Sequence, residues 1–281
     1  MTTKNPAIKQ QNLQVRNIMV FILVMALSGL ADLLAEIVPT FEIGPIEVGI
    51  STFWFVPLTL VILFFGWWAA LAVPIGEIVF SDLVLGEFGG LGEMQEVVLV
   101  TLALYFACRI VTDPRNQKLI VIAGLLSYLF AELPAAFIDM LVVWFGVESF
   151  EAVEGLPQSV FAVEMIDFVV EYLITGILFG LLPALWLVPK LHGKIEPLMG
   201  IKPRSPQDPL PAMSTTKVVV LAVGGFLLAL LITILASMGV NLVEWEPEFL
   251  ESIGNWFIWI AIILAAVIAA VVLIVRKPAS N

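Results

Sequence analysis

Carboxylates set within apolar sequence are the residues of this chain best placed to do chemistry. Asp32, Glu36, Glu77, Asp82, Glu132, Asp139, Glu164, Asp167 and Glu171 all lie inside strongly apolar stretches. A carboxylate at the centre of a membrane helix costs roughly 2.5–3.5 kcal/mol even on the lenient insertion scale, so it is expected to face a cavity, a partner or a pathway. Spacing narrows the choice. Glu164, Asp167 and Glu171 fall at i, i+3 and i+7 on one helix face, which Thr175 continues, and Tyr128, Glu132 and Asp139 fall at i, i+4 and i+11 on another. If residues 119–189 form an antiparallel helical hairpin, Glu132 comes level with Glu171, and Asp139 with Glu164. At 1.5 Å per residue, Glu132 stands about 20 Å above the inner end of its helix and Glu171 about 16 Å below the outer end of its own.

Two carboxylates held together do not both ionise without compensation; the pair takes up a proton or binds a cation. No Lys, Arg or His lies in the stretches around them. The expectation is an outward-opening cation site built from Glu132, Asp139, Glu164, Asp167 and Glu171, with Tyr128 and Trp144 beside them. Glu93 would be added by the glycine-rich loop GEFGGLGEMQE (86–96), which fits close backbone approach to a ligand and a flexible connection equally. The aromatics Phe53, Trp54, Phe55, Trp144, Phe145, Phe150 and Phe161 fit an interfacial belt, and beside carboxylates they also suit cation–π contact with an organic cation. The other reading of the same acids, open at this stage, is structural: protonated, hydrogen-bonded side chains facing other helices.

Other chemistries lack their residues. There is no G-x-x-x-x-G-K-[ST], no H-E-x-x-H and no G-x-S-x-G, so neither an ATPase site nor the common hydrolytic sites are carried here. His192, the only histidine, falls in an inner loop where no ligand role is expected, and Cys108, the only cysteine, reads as a core thiol. Gly90-Leu91-Gly92-Glu93 is similar to the G-x-G-D element of intramembrane aspartyl proteases, but Glu replaces Asp and the partner Tyr-Asp pair is missing. The chain is not expected to be an enzyme, nor to carry a metal or cofactor or bind nucleic acid.

The elements that would position these side chains are membrane helices. Apolar residues are 60% and charged residues 13% of the 281, too few charges to cover a water-soluble fold of this size. Basic residues mark the cytoplasmic side, and all 13 fall in four places: Lys4, Lys9, Arg16; Arg109, Arg115, Lys118; Lys190, Lys194, Lys202, Arg204, Lys217; and Arg276, Lys277. Each interval between them must cross an even number of times. Four helices (17–38, 51–66, 67–85 and 94–111) fit the first interval, two fit 119–189 and two fit 218–275. The expectation is an all-α integral membrane protein with eight crossings, both termini cytoplasmic, in a plasma membrane. The first apolar run is read as a retained helix, since no small-residue cleavage site follows it. A re-entrant segment at FFGWW (64–68) would reduce the count to six. The segments are a tail (1–16), a six-helix body (17–190), a proline-rich cytoplasmic linker (191–216) and a C-terminal transmembrane hairpin (217–281).

Three features of residues 17–190 carry a resemblance: the small residues Ala26, Gly29, Ala31 and Ala35 on the first helix, the tight turn within FFGWWAALAVPIGEIVFSDLVLG, and six helices with both ends inside. The body resembles the S component, the substrate-binding membrane subunit of energy-coupling-factor (ECF) transporters. The two added C-terminal helices depart from that pattern. The resemblance implies a ligand site open to the outside, formed by helices 4–6 and the loops after helices 1, 3 and 5. It also implies docking on a transmembrane T component through Gly29, Ala31 and Ala35, and energy from separate ATPase subunits. The expected function is capture of a cationic nutrient, such as a thiamine-like vitamin or a polyamine. The alternative is an ion- or proton-coupled secondary transporter that titrates the same carboxylates.

Overall fold

The computed structural model describes residues 6–43, 46–86, 88–146, 159–207, 210 and 213–239. All of them belong to the first of two units, Met1–Glu244; the second, Trp245–Asn281, lies outside the described residues and takes the last expected helix with it.

Among the described residues, five helical stretches are long and apolar enough to cross a membrane: Leu13–Glu36, Trp67–Leu85, Gln117–Trp144, Phe161–Leu191 and Thr215–Ser237. The chain is a multi-pass, helical membrane protein. In chain order the helices are α1 (Pro6–Glu36), α2 (Phe55–Leu63), α3 (Trp67–Glu77), α4 (Leu83–Leu85), α5 (Glu93–Arg109), α6 (Gln117–Trp144), α7 (Ser159–Glu171), α8 (Leu182–Leu191) and α9 (Thr215–Ser237). A π-helical stretch, Ile78–Asp82, joins α3 to α4, and a second, Tyr172–Leu181, joins α7 to α8.

Helix α1 starts a full eleven residues before the expected 17. Pro6 suits a first helical position, and the Lys, Gln, Ala and Leu residues that follow favour helix, so nothing halts it. The expected polar tail is therefore largely the first turns of this 31-residue helix, which at about 46 Å exceeds the hydrocarbon core. The expected outer loop after it holds a small antiparallel hairpin, β1 (Phe41–Ile43) with β2 (Ile46–Val48), Phe41 pairing with Val48. It is the one departure from all-α structure among the described residues.

Helix α2 is short, nine residues, and buried from Pro57 to Leu63. Being apolar on every side, it sits inside the bundle, packed by α1, α5 and α8. It ends at Leu63, and α3 begins at Trp67 after Gly66, so only three residues separate the two helices within FFGWW. Helices α1 and α3 pack along each other through glycine: a Cβ on Gly29 would lie 2.1 Å from the Gly76 carbonyl oxygen, and one on Gly76 2.2 Å from that of Met25. Gly29, expected to dock a partner, instead serves this internal contact. Ala31 and Ala35 are likewise buried, 6% and 1% exposed. Small residues let two backbones approach, and that approach has been used within the chain.

The described residues of the linker include two that pair with each other and one that reaches the body. A 3₁₀ turn, Glu196–Met199, follows α8, and Glu196, fully buried, accepts from Gly193 N at 2.8 Å and bonds His192 Nδ1 at 2.7 Å. Arg204 reaches the C-terminal ends of α2 and α5: its Nη1 donates to the carbonyls of Val111 (2.5 Å), Cys108 (3.2 Å) and Ile62 (3.4 Å), and its plane lies over Phe65, 4.3 Å away. Helix C-termini offer unpaired carbonyls and negative potential, which a guanidinium satisfies. Burial lowers this group to about 10, still charged at neutral pH. Helix α9 packs on α5 and α6, with a second apolar cluster of Leu99, Ile138, Val142 and Ala229, and the Thr233 hydroxyl donates to Gln95 Oε1. The first helix of the expected C-terminal hairpin thus belongs with the body.

Candidate cation-binding site

Between the helices lies a polar cavity of about 300 Å³. Eight carboxylates line it: Asp32 and Glu36 from α1, Glu77 from α3, Asp82 from the following π stretch, Glu93 and Glu96 from α5, Glu132 from α6, and Glu171 from α7. Ser51, Thr52, Trp54, Val100 and Tyr128 complete the wall; no basic residue is among the lining. So much like charge round one space cannot stay ionised together unless positive charge enters it.

The apolar structure beneath explains how the acids converge. Trp54, at the head of α2, is 2% exposed, donates from Nε1 to Ser127 Oγ at 3.0 Å, and meets the Tyr128 ring edge-on at 5.2 Å. Gly176 and Gly180 in the second π stretch make room for this pair: a Cβ on Gly176 would be 2.9 Å from the Tyr128 ring, and one on Gly180 3.1 Å from Trp54. The loop before α2 is tied across the cavity rim, Ser51 N donating to Thr175 Oγ1 at 3.1 Å and Ser51 Oγ to Glu171 Oε1 at 3.0 Å. Both π-helical stretches begin directly after a cavity carboxylate, Glu77 in one case and Glu171 in the other. An inserted residue re-aims the side chains on either side of it, and such insertions frequently mark functional positions.

The residues expected from sequence divide into two groups. Glu132, Glu171, Tyr128 and Glu93 line the cavity, and Glu171 is the carboxylate that acts most strongly on Glu132. Glu93 also accepts from Gly89 N at 3.3 Å. Asp139, Glu164 and Asp167 do not line it; they form a second acidic group toward the C-terminal end of α6 and the N-terminal half of α7, in which Asp139 is the strongest neighbour of Glu164 and Asp167 the next. Trp144 is elsewhere again, 67% exposed and edge-on to Phe161 at 5.6 Å. An aromatic at the end of a membrane helix packs at the interface by preference, and its position along the helix alone does not separate belt from site.

The cavity also contains residues that sequence reasoning did not assign to it. Asp32, Glu36, Glu77 and Asp82 stood out as acids in apolar helices, but their convergence with α6 depends on the Gly29–Gly76 contact. Glu96, Ser51 and Thr52 carry no such sequence signal, and Trp54, which suits cation–π contact by type, stands in the wall packed edge-on to Tyr128. The spacing Gly176-x-x-x-Gly180 was the available signal for a close approach at Tyr128 and Trp54. Among the described residues, no three acids converge in a way that could hold a metal ion. The carboxylates are spread round the wall, an arrangement that suits a cation with several donors or several charges.

A family model described as a family of unknown function (DUF8171) matches residues 19–281. No curated protein and no solved structure matches the chain.

Proposed function

The chain belongs to DUF8171, a family of unknown function, and we propose that it captures a cationic small molecule from outside the cell, as the membrane-embedded binding subunit of an ECF-type importer. The cavity lined by eight carboxylates, with no basic residue in its lining, is the observation that carries the binding half of this reading. A space of this size is at the low end for small-molecule sites, and the ligand class is a thiamine-like vitamin or a polyamine. The importer half rests on the resemblance of the body. T-component docking then needs a surface other than Gly29, Ala31 and Ala35, which are spent inside the chain. Energy comes from the ATPase subunits of the complex, because this chain has no nucleotide motif.

A secondary transporter coupled to protons or ions is the second reading, favoured by the two π-helical stretches beside Glu77 and Glu171. Irregular helix at a charged midplane site is a common construction in such transporters. The experiment is to purify the full chain in detergent and measure binding of organic cations with no gradient, alongside uptake by the same protein alone in liposomes. Binding without solo uptake, with T and ATPase subunits recovered from cells, supports the importer. Solo uptake that responds to pH overturns it in favour of the transporter.

The topology that goes with this function is eight crossings in the plasma membrane, both termini cytoplasmic, with 147–159 and 239–255 outside. Cysteine introduced at Ser149 or Ser252 should react with an impermeant thiol reagent on intact cells, while cysteine at Ser205 should react only after lysis. Cys108 is buried and gives little background. The opposite labelling pattern would reverse the orientation, and with it the direction in which the cavity opens.

A further inference from the structure

The two ends of helix α2 are held by different parts of the chain. At its head Trp54 stands in the wall of the carboxylate cavity, bonded to Ser127 on α6 and edge-on to Tyr128. At its tail the Ile62 carbonyl accepts from Arg204 of the linker, 142 positions further along the chain. The same guanidinium grips the end of α5, Nη1 and Nη2 both donating to the Cys108 carbonyl at 3.2 Å and Nη1 to that of Val111. It also covers the ring of Phe65, in the turn that follows α2. Between head and tail α2 is nine residues, about 14 Å, and buried from Pro57 to Leu63. A single short, rigid element therefore joins the cavity wall to the linker.

We propose that Arg204 is a releasable latch: docked, it fixes α2 against α5, and released, it lets α2 shift and loosens the cavity wall at Trp54. Its chemistry makes release cheap. The guanidinium is held by carbonyls and a ring face, and among the described residues no carboxylate pairs with it. Parting a buried ion pair strands the opposite charge. Withdrawing Arg204 strands none, because the cation returns to water and leaves only helix-end carbonyls behind. The stretch that carries it, 201–205, has no regular secondary structure, whereas Ile195, Met199 and Ile201 pack on the apolar core and stay in place when the arginine lets go. Linker and cavity wall are then coupled in both directions, since whatever favours one position of α2 at either end is felt at the other. The latch does not depend on what the cavity binds.

Cys108 is the only cysteine of the chain and is fully buried where Arg204 holds its carbonyl, so its reaction with N-ethylmaleimide reads the released state. With the purified full chain in detergent, R204A should raise the labelling rate about tenfold or more, the loss expected for hydrogen bonds from a charged group. W54F, at the other end of α2, removes the bond to Ser127 and should raise the rate about threefold or more. On top of R204A it should add less than about 1.5-fold, because α2 is already free. Y172F removes a hydroxyl bond to the Leu125 carbonyl, away from α2, and should change the rate by less than about twofold in either background. R204K, which keeps the charge and loses the planar fork, takes the place of R204A in the cycle if R204A does not fold. An unchanged rate in either the Arg204 variant or W54F would overturn the latch. So would effects of the two that simply multiply, the mark of two independent losses.

Discussion

Glutamine at Glu132 or at Glu171 should weaken binding of a dication such as 1,4-diaminobutane by roughly tenfold to a few hundredfold, the loss typical when one member of a desolvated charge contact is removed. The two carboxylates face one cavity from different helices, and Glu171 is the like charge that acts most strongly on Glu132. They are therefore not independent. With one neutralised, the other is relieved of repulsion, so the double variant E132Q/E171Q should lose less than the product of the single losses. Asn at Asp113, in the turn between α5 and α6 and outside the cavity, should leave affinity within about twofold. Lowering the pH acts in the same direction as the substitutions: protons neutralise the carboxylates that attract the ligand, and affinity falls as acidity rises. Titration calorimetry of the purified chain across pH reads all of these. Wild-type affinity in both single variants would remove the cavity from the account.

That pairing was legible in sequence for a definite reason. Helices α6 and α7 are consecutive and antiparallel, and a constant rise per residue fixes which positions share a depth. Glu132 with Glu171, and Asp139 with Glu164, follow from counting outward from one loop. The other half of the cavity was not countable in this way. Asp32 and Glu36 reach Glu77 and Asp82 because α1 lies against α3, and Glu93 and Glu96 join them because α5 packs on α3; these are tertiary facts, set by glycine contacts and volume. Periodicity is silent for α2, whose buried face is its whole circumference. Nor does any residue pattern announce the π-helical stretches. The docking face failed on related grounds: small residues signal close approach, and sequence does not say whether the neighbour is another protein or the next helix.

The largest effect on stability should come from that close approach. A methyl group on Gly29 would lie 2.1 Å from the Gly76 carbonyl oxygen and 2.6 Å from its carbonyl carbon, and one on Gly76 would lie 2.2 Å from the Met25 carbonyl oxygen. These are backbone atoms of two long helices, so no rotamer change relieves the overlap; α1 and α3 must separate. Overpacking of this kind costs about 2–3 kcal/mol or more for each of G29A and G76A. Once one substitution has parted the helices, the second meets less resistance, so G29A/G76A should be less destabilised than the sum. Gly225 supplies the contrast. Its added methyl would also come within 2.1 Å of an atom, but that atom is the Cδ1 end of the Leu102 side chain, which can turn away. G225A should cost less than about 1 kcal/mol, in the range of ordinary side-chain readjustment. Because Asp32 and Glu36 ride on α1 and Glu77 on α3, parting the two helices also opens the cavity wall, and cation affinity should fall in G29A and G76A but hold in G225A. Unfolding in detergent and calorimetry on the same three samples make the comparison. If G29A is no less stable than G225A, the α1–α3 contact is looser than described, and the support it gives to the carboxylate cavity goes with it.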